Sequence, residues 1–560
     1  MSKKHGKQHP FVPELKDQFI KGEVSRREFL RTSTLLGLSA TAAYSFVNIF
    51  EGKSPIVEAK ADAHKGGKLK FAMRVQECAD PAKYDWTPKA NLSRHMIEYL
   101  TIMASDGVTR PYLLESWNPS DDLKTWTLKV RKGVKWSNGD TFDAEDVVYN
   151  IKRWCDSNVG SSMQSLMDPL ITKTPTGKKD KKGKEIVNKT LTEGAVHKVD
   201  DYTVMLHLNR AELALPESWF HYPAGIVHRK FEEWGSSIVK KPVGTGAFTL
   251  VEHKVGEKAV LKRRDDYWGK KPPLDEIHYI DTGDDAGAKI AALAAGQVDL
   301  VNEIMVDQLA VVKALPNMQI FKAVTAQTAV ARMQPKAPFD DVRVRKALRI
   351  CQDHARLLEL SHGGQGAPAE DHHVCPLHPD YAELPKEKQD YELAKKLLAD
   401  AGHPNGISAT LDCNNDRAWE QAACQTLVEM CKPAGINLKL NIMPGSAYWK
   451  LWTKTPFGFT RWNHRPLGTM VLNLAYRSNV PWNESQHNNP EFDKLLDEAG
   501  GIADPKERSK VMAKVQKTMQ DDSPIAQPLW RGVFDAGSTK VKGYSKHPQN
   551  FHLLNDTSIG

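Results

Sequence analysis

Apolar residues recur along this chain at two spacings. Trp126, Leu128 and Val130 alternate with Thr127 and Lys129, the period-two mark of a half-buried strand. Directly after it, Val147, Ile151 and Trp154 fall at i, i+4 and i+7, one face of a helix that Asp143 is placed to cap. Phe248 and Leu250 alternate with polar neighbours, and a turn at Gly256-Glu257 leads back through Val260, which predicts a hairpin. Ala394, Leu397, Leu398 and Ala401 form a helical stripe closed by Gly402, and Phe492, Leu495, Leu496 and Ala499 form another closed by Gly500. Between them Ile436, Leu438 and Leu440 read as a strand. Helices interleaved with strands, with no internal repeat, predict an α/β architecture.

The N-terminus breaks this pattern. Residues 25–31 read SRREFLR, and the next nineteen, Thr32 to Phe50, carry no charge and only mild apolar character. An arginine pair before such a stretch resembles a twin-arginine export signal, whose passengers cross the membrane already folded. Small residues at Ala59, Ala61 and Ala63 suit a signal peptidase, and cleavage after Ala63 is expected. An uncleaved anchor is the alternative, since nineteen residues can just span a bilayer. In either case the bulk of the protein lies outside the cytoplasm.

At 560 residues the chain is too long for one compact core, and its 26% charged, 40% hydrophobic composition is that of a folded protein. Seventy-seven basic against 69 acidic residues leave a net charge of +8, with the two signs interleaved. That argues against a nucleic-acid partner, which calls for Lys and Arg on one element. The only dense basic run, 178–184, sits in a Pro/Gly/Lys stretch and reads as a solvated loop. Seven cysteines without a CxxC pair make neither a disulfide scaffold nor a zinc site. Cys424 and Cys431, seven apart in a helical stretch, sit about 10 Å apart along the axis, too far to bridge.

Several ordered motifs identify the chain. GVTRPYLLESWNPSDDLKTWTLKVRKGVKW at 107–136, NGDTFDAEDVVYNIKR at 138–153, PVGTGAFTL at 242–250 and AAGQVDL at 294–300 are followed by FDDVRVRKAL at 339–348, YELAKKLLADAG at 391–402 and NPEFDKLLDEA at 489–499. Together they resemble family 5 of the extracellular solute-binding proteins of ABC transporters, the dipeptide-, oligopeptide- and nickel-binding group, over nearly all of residues 66–530. The resemblance implies a two-lobed, type II periplasmic-binding-protein fold joined by a hinge. Lobe I is expected over 64–328, with an extra subdomain at about 107–236. Lobe II is expected over 329–528, with a return to lobe I over 529–560. The crossovers fall near Val324–Met333 and Gln527–Phe534.

The resemblance also implies the function: a monomeric periplasmic receptor captures a small solute between the lobes and delivers it to a membrane permease and its ATPase, with no cofactor. Enzyme signals are poor, because no G-x-S-x-G elbow, HExxH or Walker loop is present. An extracytoplasmic hydrolase is therefore the weaker reading.

Two segments carry chemistry. The first is Trp462-Asn463-His464-Arg465-Pro466. Peptide-binding relatives carry a similar W-x-x-D-P segment whose Asp pairs with the peptide's α-ammonium, and here Arg465 stands at that position. An arginine about 4 Å from an ammonium is repulsive by roughly 4 kcal/mol at an effective dielectric near 20, on the order of a thousandfold in affinity. A free-amino peptide held in the family manner is disfavoured, and a carboxylate or phosphate is favoured. Arg465 in a structural ion pair is the alternative. The resemblance adds Trp86 and Glu77, in the loop after the first strand, as ligand contacts. The second segment, Asp371 to His378, holds His372, His373, Cys375 and His378, four metal-ligand types within eight residues. A receptor for nickel or a metal chelate, or for peptides, is accordingly the alternative within the same fold.

Overall fold

A computed structural model describes residues 9–51, 66–179, 185–283 and 285–560. The small residues around the expected cleavage site and the last five residues of the basic run lie outside the described residues.

One twisted sheet runs through both halves of the molecule. On one side Lys68–Ala72 pairs in parallel with Glu276–Ile280 and with Leu300–Ile304. The predicted hairpin, Phe248–Lys254 with Lys258–Arg263, extends that edge. On the other side Ile407–Asn414 pairs in parallel with Ile436–Met443 and with Phe457–Trp462. Two long antiparallel strands, Met318–Met333 and Leu529–Ser538, join the halves. The second pairs outward with Leu300–Ile304 and the first with Phe457–Trp462. Their mutual register slips between Val324 and Gln327, a bulge where the pair passes from one half to the other. Two large apolar clusters result: Leu69, Phe71, Ile277 and Leu300 belong to one, which also takes in Trp462, Leu472 and Met512, and Ala329, Leu348, Leu411 and Phe459 belong to the other. This is the two-lobed α/β fold.

The first lobe carries a four-stranded antiparallel sheet, which includes Leu114–Pro119 and Thr125–Val130. Against it lies the helix Ala144–Cys155, started by an Asp143–Asp146 capping box and burying Val147, Ile151 and Trp154. The glycines of PVGTGAF have a steric reason. A Cβ on Gly244 would collide with the Met96 carbonyl oxygen, and one on Gly246 with the His95 carbonyl oxygen.

Several expectations need correction. The start of the basic run forms the end of the strand Ile171–Lys179, which pairs with Glu185–Leu191, instead of a loop. Both faces of that hairpin are largely solvated, so composition reported exposure and missed the pairing. Gly500 is the last residue of the helix Pro490–Gly500, and Gly501 follows as the cap with a right-handed φ of −89°. As expected, Cys424 and Cys431 share the helix Ala418–Cys431 and are not bridged, and all seven cysteines are free and buried.

The uncharged stretch 32–50 is not one helix. Arg26–Leu35 and Ala40–Phe50 are separate, each opened by a serine cap, Ser25 and Ser39. No helix among the described residues is long and apolar enough to cross a membrane. Phe29, Leu30, Leu35 and Val47 pack on Val108, Leu123 and Leu213 of the body. Arg31 forks onto Glu217 at 2.7 and 2.8 Å, and Arg508 donates to Glu28 at 2.7 Å, with all four side chains buried. Arg26 is exposed and pairs with Glu51, whereas Arg27 is half-buried against Gly107.

Candidate functional site between the lobes

The strand Phe457–Trp462 ends at the seam between the lobes, and the following turn carries the segment singled out above. Asn463 donates through Nδ2 to Thr87 Oγ1 at 3.3 Å. Thr87 opens the helix Thr87–Ser93, with Trp86 as its N-cap residue. Trp86, Asn463, Arg461, Arg417 and Glu303 line a void of about 30 Å³. This is a closed cleft.

An ion pair crosses the seam here. Glu303, on the first lobe's strand Leu300–Ile304, accepts from Arg417 at 3.2 Å and from Arg531 at 3.0 Å. Burial pushes the Glu303 carboxyl up, but Arg417, Arg531, Lys546 and Arg461 outweigh it and hold the group far below its usual range. Its backbone takes φ +56°, a left-handed conformation rare for glutamate, with its N–H on Asp535 at 2.7 Å. Arg461 in turn donates to Glu420 at 2.9 Å.

Trp462 is buried, and its indole donates to Glu484 at 2.6 Å. Trp452 donates to the same carboxylate at 2.6 Å, and Arg332 at 3.1 Å. Trp462 packs edge to face on Trp452 and Trp482, which are tilted against each other, with centroids 6.2–6.4 Å apart.

Arg465 is 4% exposed and has no carboxylate within ion-pair distance among the described residues. Its Nη1 donates to the carbonyls of Asn463 and His464 at 3.3 and 3.2 Å, and its guanidinium lies over the Tyr222 ring at 5.6 Å. Its Nε has no partner. Burial lowers the Arg465 pKa from its usual range. His464 faces the other way. Its Nδ1 accepts the Ala326 N–H at 2.9 Å, and its ring lines a cavity of about 530 Å³ together with Arg27, Lys322 and Lys546. Glu77 is exposed and lines neither cavity.

The metal-ligand types of the second segment do not converge. His372 donates to Glu370 at 3.0 Å, and His373 Nδ1 meets the Tyr476 hydroxyl at 2.7 Å. His378 accepts the Cys375 N–H at 2.9 Å through Nδ1 and donates to the Arg465 carbonyl at 3.1 Å through Nε2. Burial pushes the Cys375 thiol up to about 12. No group of three metal-ligand side chains able to hold an ion is present among the described residues. The reason is local: Asp371 and His373 both take φ +58°, which turns successive side chains apart.

Tyr222, His221, Trp482, Glu484, Glu303 and Arg417 escaped the reading of the sequence. The aromatic run Trp219 to Tyr222 was the one signal present.

Two α/β lobes, two strands crossing between them and a closed polar cleft at the seam define a solute receptor of the periplasmic-binding-protein class. The model for bacterial extracellular solute-binding proteins, family 5, matches residues 109–523, and the chain belongs to that family. It is similar to heme-binding protein A of Haemophilus influenzae, with 30% identity over 80% of this chain and 84% of that one. It is 27% identical to the periplasmic oligopeptide-binding protein OppA of the same species, over 86% of this chain and 91% of the relative. In fold it resembles the periplasmic binding protein DppA of Helicobacter pylori, solved with the peptide STSA. The TM-score is 0.76 at 21% identity, over 89% and 99% of the two chains. The protein is thus the substrate-binding component of an ABC uptake transporter, taking a small solute between its lobes and passing it to the permease and ATPase. Members of this family are receptors rather than enzymes.

Proposed function

We propose that the protein is an exported, periplasmic, monomeric receptor for a small anionic solute, with Arg465 as the group that selects the charge. Residues 1–63 act as the twin-arginine signal. The lobes run over 64–328 and 329–528, with the return over 529–560, and the solute lies at the seam near Trp86, Trp462, Asn463 and Arg465. One observation carries the choice of charge: Arg465 is buried at the seam with no counter-charge beside it. A buried guanidinium needs an anion, and where the protein supplies none the ligand can. The names of relatives range from heme-binding to oligopeptide-binding and do not choose between ligands. The metal-chelate reading loses its support, since the histidines that suggested it hold other partners.

Thermal melts test the charge. Small di- and monocarboxylates are expected to raise Tm with log concentration, as mass action requires, and to do so more than unmodified dipeptides. Arg465→Asp should abolish the effect. Dipeptides protecting better than acids, with the Arg465→Asp response unchanged, would overturn the reading. Small-angle scattering adds a second check: a bound solute should reduce the radius of gyration, because the site is complete only when the lobes meet.

A further inference from the structure

We infer that Arg465 acts together with His221 and His373, and that the three select a carboxylate bearing a hydrogen-bond donor, a hydroxyl or N–H, next to the acid group. This rests on the anionic reading above and narrows it.

His221 is 1% exposed, and neither of its ring nitrogens has a partner. It packs at 4.2 Å on Tyr222, the ring that Arg465 covers from 5.6 Å. His373 Nε2 also lacks a partner, and its ring meets Trp462, three residues before Arg465, at 5.7 Å. With Arg465 Nε, four buried nitrogens stand unpartnered in one neighbourhood. Buried polar atoms are nearly always satisfied, so such a group points to a missing partner. Burial and the neighbouring guanidinium hold both imidazoles neutral.

The inventory of hydrogen-bonding groups sets the chemistry. A neutral imidazole has one N–H and one lone pair. His221 therefore offers a donor and an acceptor, Arg465 Nε a donor, and His373 Nε2 a group whose sense follows from the Tyr476 hydroxyl on Nδ1. A bare carboxylate satisfies the donors and leaves the acceptor of His221 empty. A hydroxyl or N–H beside the carboxylate fills it. An unmodified peptide also brings its ammonium to a place that already holds a guanidinium, which disfavours it.

Calorimetry on the full chain with matched pairs tests this: lactate against propionate, malate against succinate, 2-hydroxyglutarate against glutarate. At least one hydroxy acid should bind about tenfold or more tighter than its partner, the effect of leaving a buried acceptor unmet. His221→Phe should erase that preference and also weaken the plain acid, which loses one donor, while His221→Gln, which keeps a donor and an acceptor, should restore part of both. Ligand-free His221→Phe should melt no lower than the parent, since its nitrogens bond nothing in the protein. A structural histidine would instead lower Tm. Plain and hydroxy acids binding equally, with Arg465→Asp still abolishing both, would overturn this inference and leave the anionic reading standing. No acid binding at all would overturn both.

Discussion

The buried pair Arg332–Glu484 organises the tryptophan cluster behind the seam, and neutralising Glu484 is the sharpest test of that arrangement. The two side chains are 0% and 1% exposed and lie 3.1 Å apart. Arg332 also donates to the carbonyls of Thr455 at 2.7 Å and Trp452 at 2.6 Å, so it cannot swing to solvent without undoing that loop. Glu484→Gln removes the only carboxylate paired with this guanidinium among the described residues. Its amide NH₂ must also face either the Trp462 indole N–H or the Trp452 indole N–H and Arg332, donor against donor. Losing one partner of a fully desolvated pair costs about 3–5 kcal/mol. For a cooperative unit of about 200 residues each kcal/mol is about 2–4 °C, so Tm should fall by about 6–20 °C. Calorimetry of the ligand-free protein reads the shift, and tryptophan emission should move to the red as Trp452, Trp462 and Trp482 loosen. Arg332→Met with Glu484→Leu should recover part of the loss, because no charge is then left behind, though two indoles still lack their acceptor. A drop below 2 °C for Glu484→Gln with unchanged emission would refute the reasoning, since the pair would then have to be solvated.

Other consequences are equally concrete. Burial holds the His95 and His547 imidazoles down at about 3 and His362 at about 4. Their folded pKa lies below the unfolded value near 6.5, so as pH falls below 6.5 the unfolded chain binds protons first and stability is lost, by about 2 kcal/mol per ring at pH 5. Urea midpoints at pH 7.5 and pH 5 measure this, and equal midpoints would contradict it. Glu217→Gln leaves Arg31 buried with only the looser contact to Glu28 at 3.8 Å, so trypsin should cut within residues 12–50 in the variant and spare them in the parent. Equal cutting of both would mean that the ion pair does not hold this segment on the body. Replacing Arg26 and Arg27 together by Lys keeps the charge and should strand precursor in the cytoplasm; normal export would identify a different kind of signal.

The parts of this fold legible in the sequence are those in which neighbours along the chain are also neighbours in space. Val147, Ile151 and Trp154 bury one face of a helix three turns long, and the 248–263 hairpin closes over three residues, so periodicity reports both. Gly244 and Gly246 were visible as a motif, but their reason, the Met96 and His95 carbonyls, lies some 150 residues upstream. The histidine-rich segment misled for the converse reason: adjacency in sequence is not convergence when the backbone turns left-handed at Asp371 and His373. The site shows the limit most clearly. Arg465 can be noticed alone, yet an arginine in a sequence of 69 acidic residues says nothing about which carboxylate it meets. Only the folded chain shows that the carboxylates near the seam are already engaged: Glu303 by Arg417 and Arg531, Glu420 by Arg461, Glu484 by Arg332. Arg465 is buried among them with none. The charge left over at the seam is therefore positive, and it is a property of the pairing, which no single segment of the sequence contains.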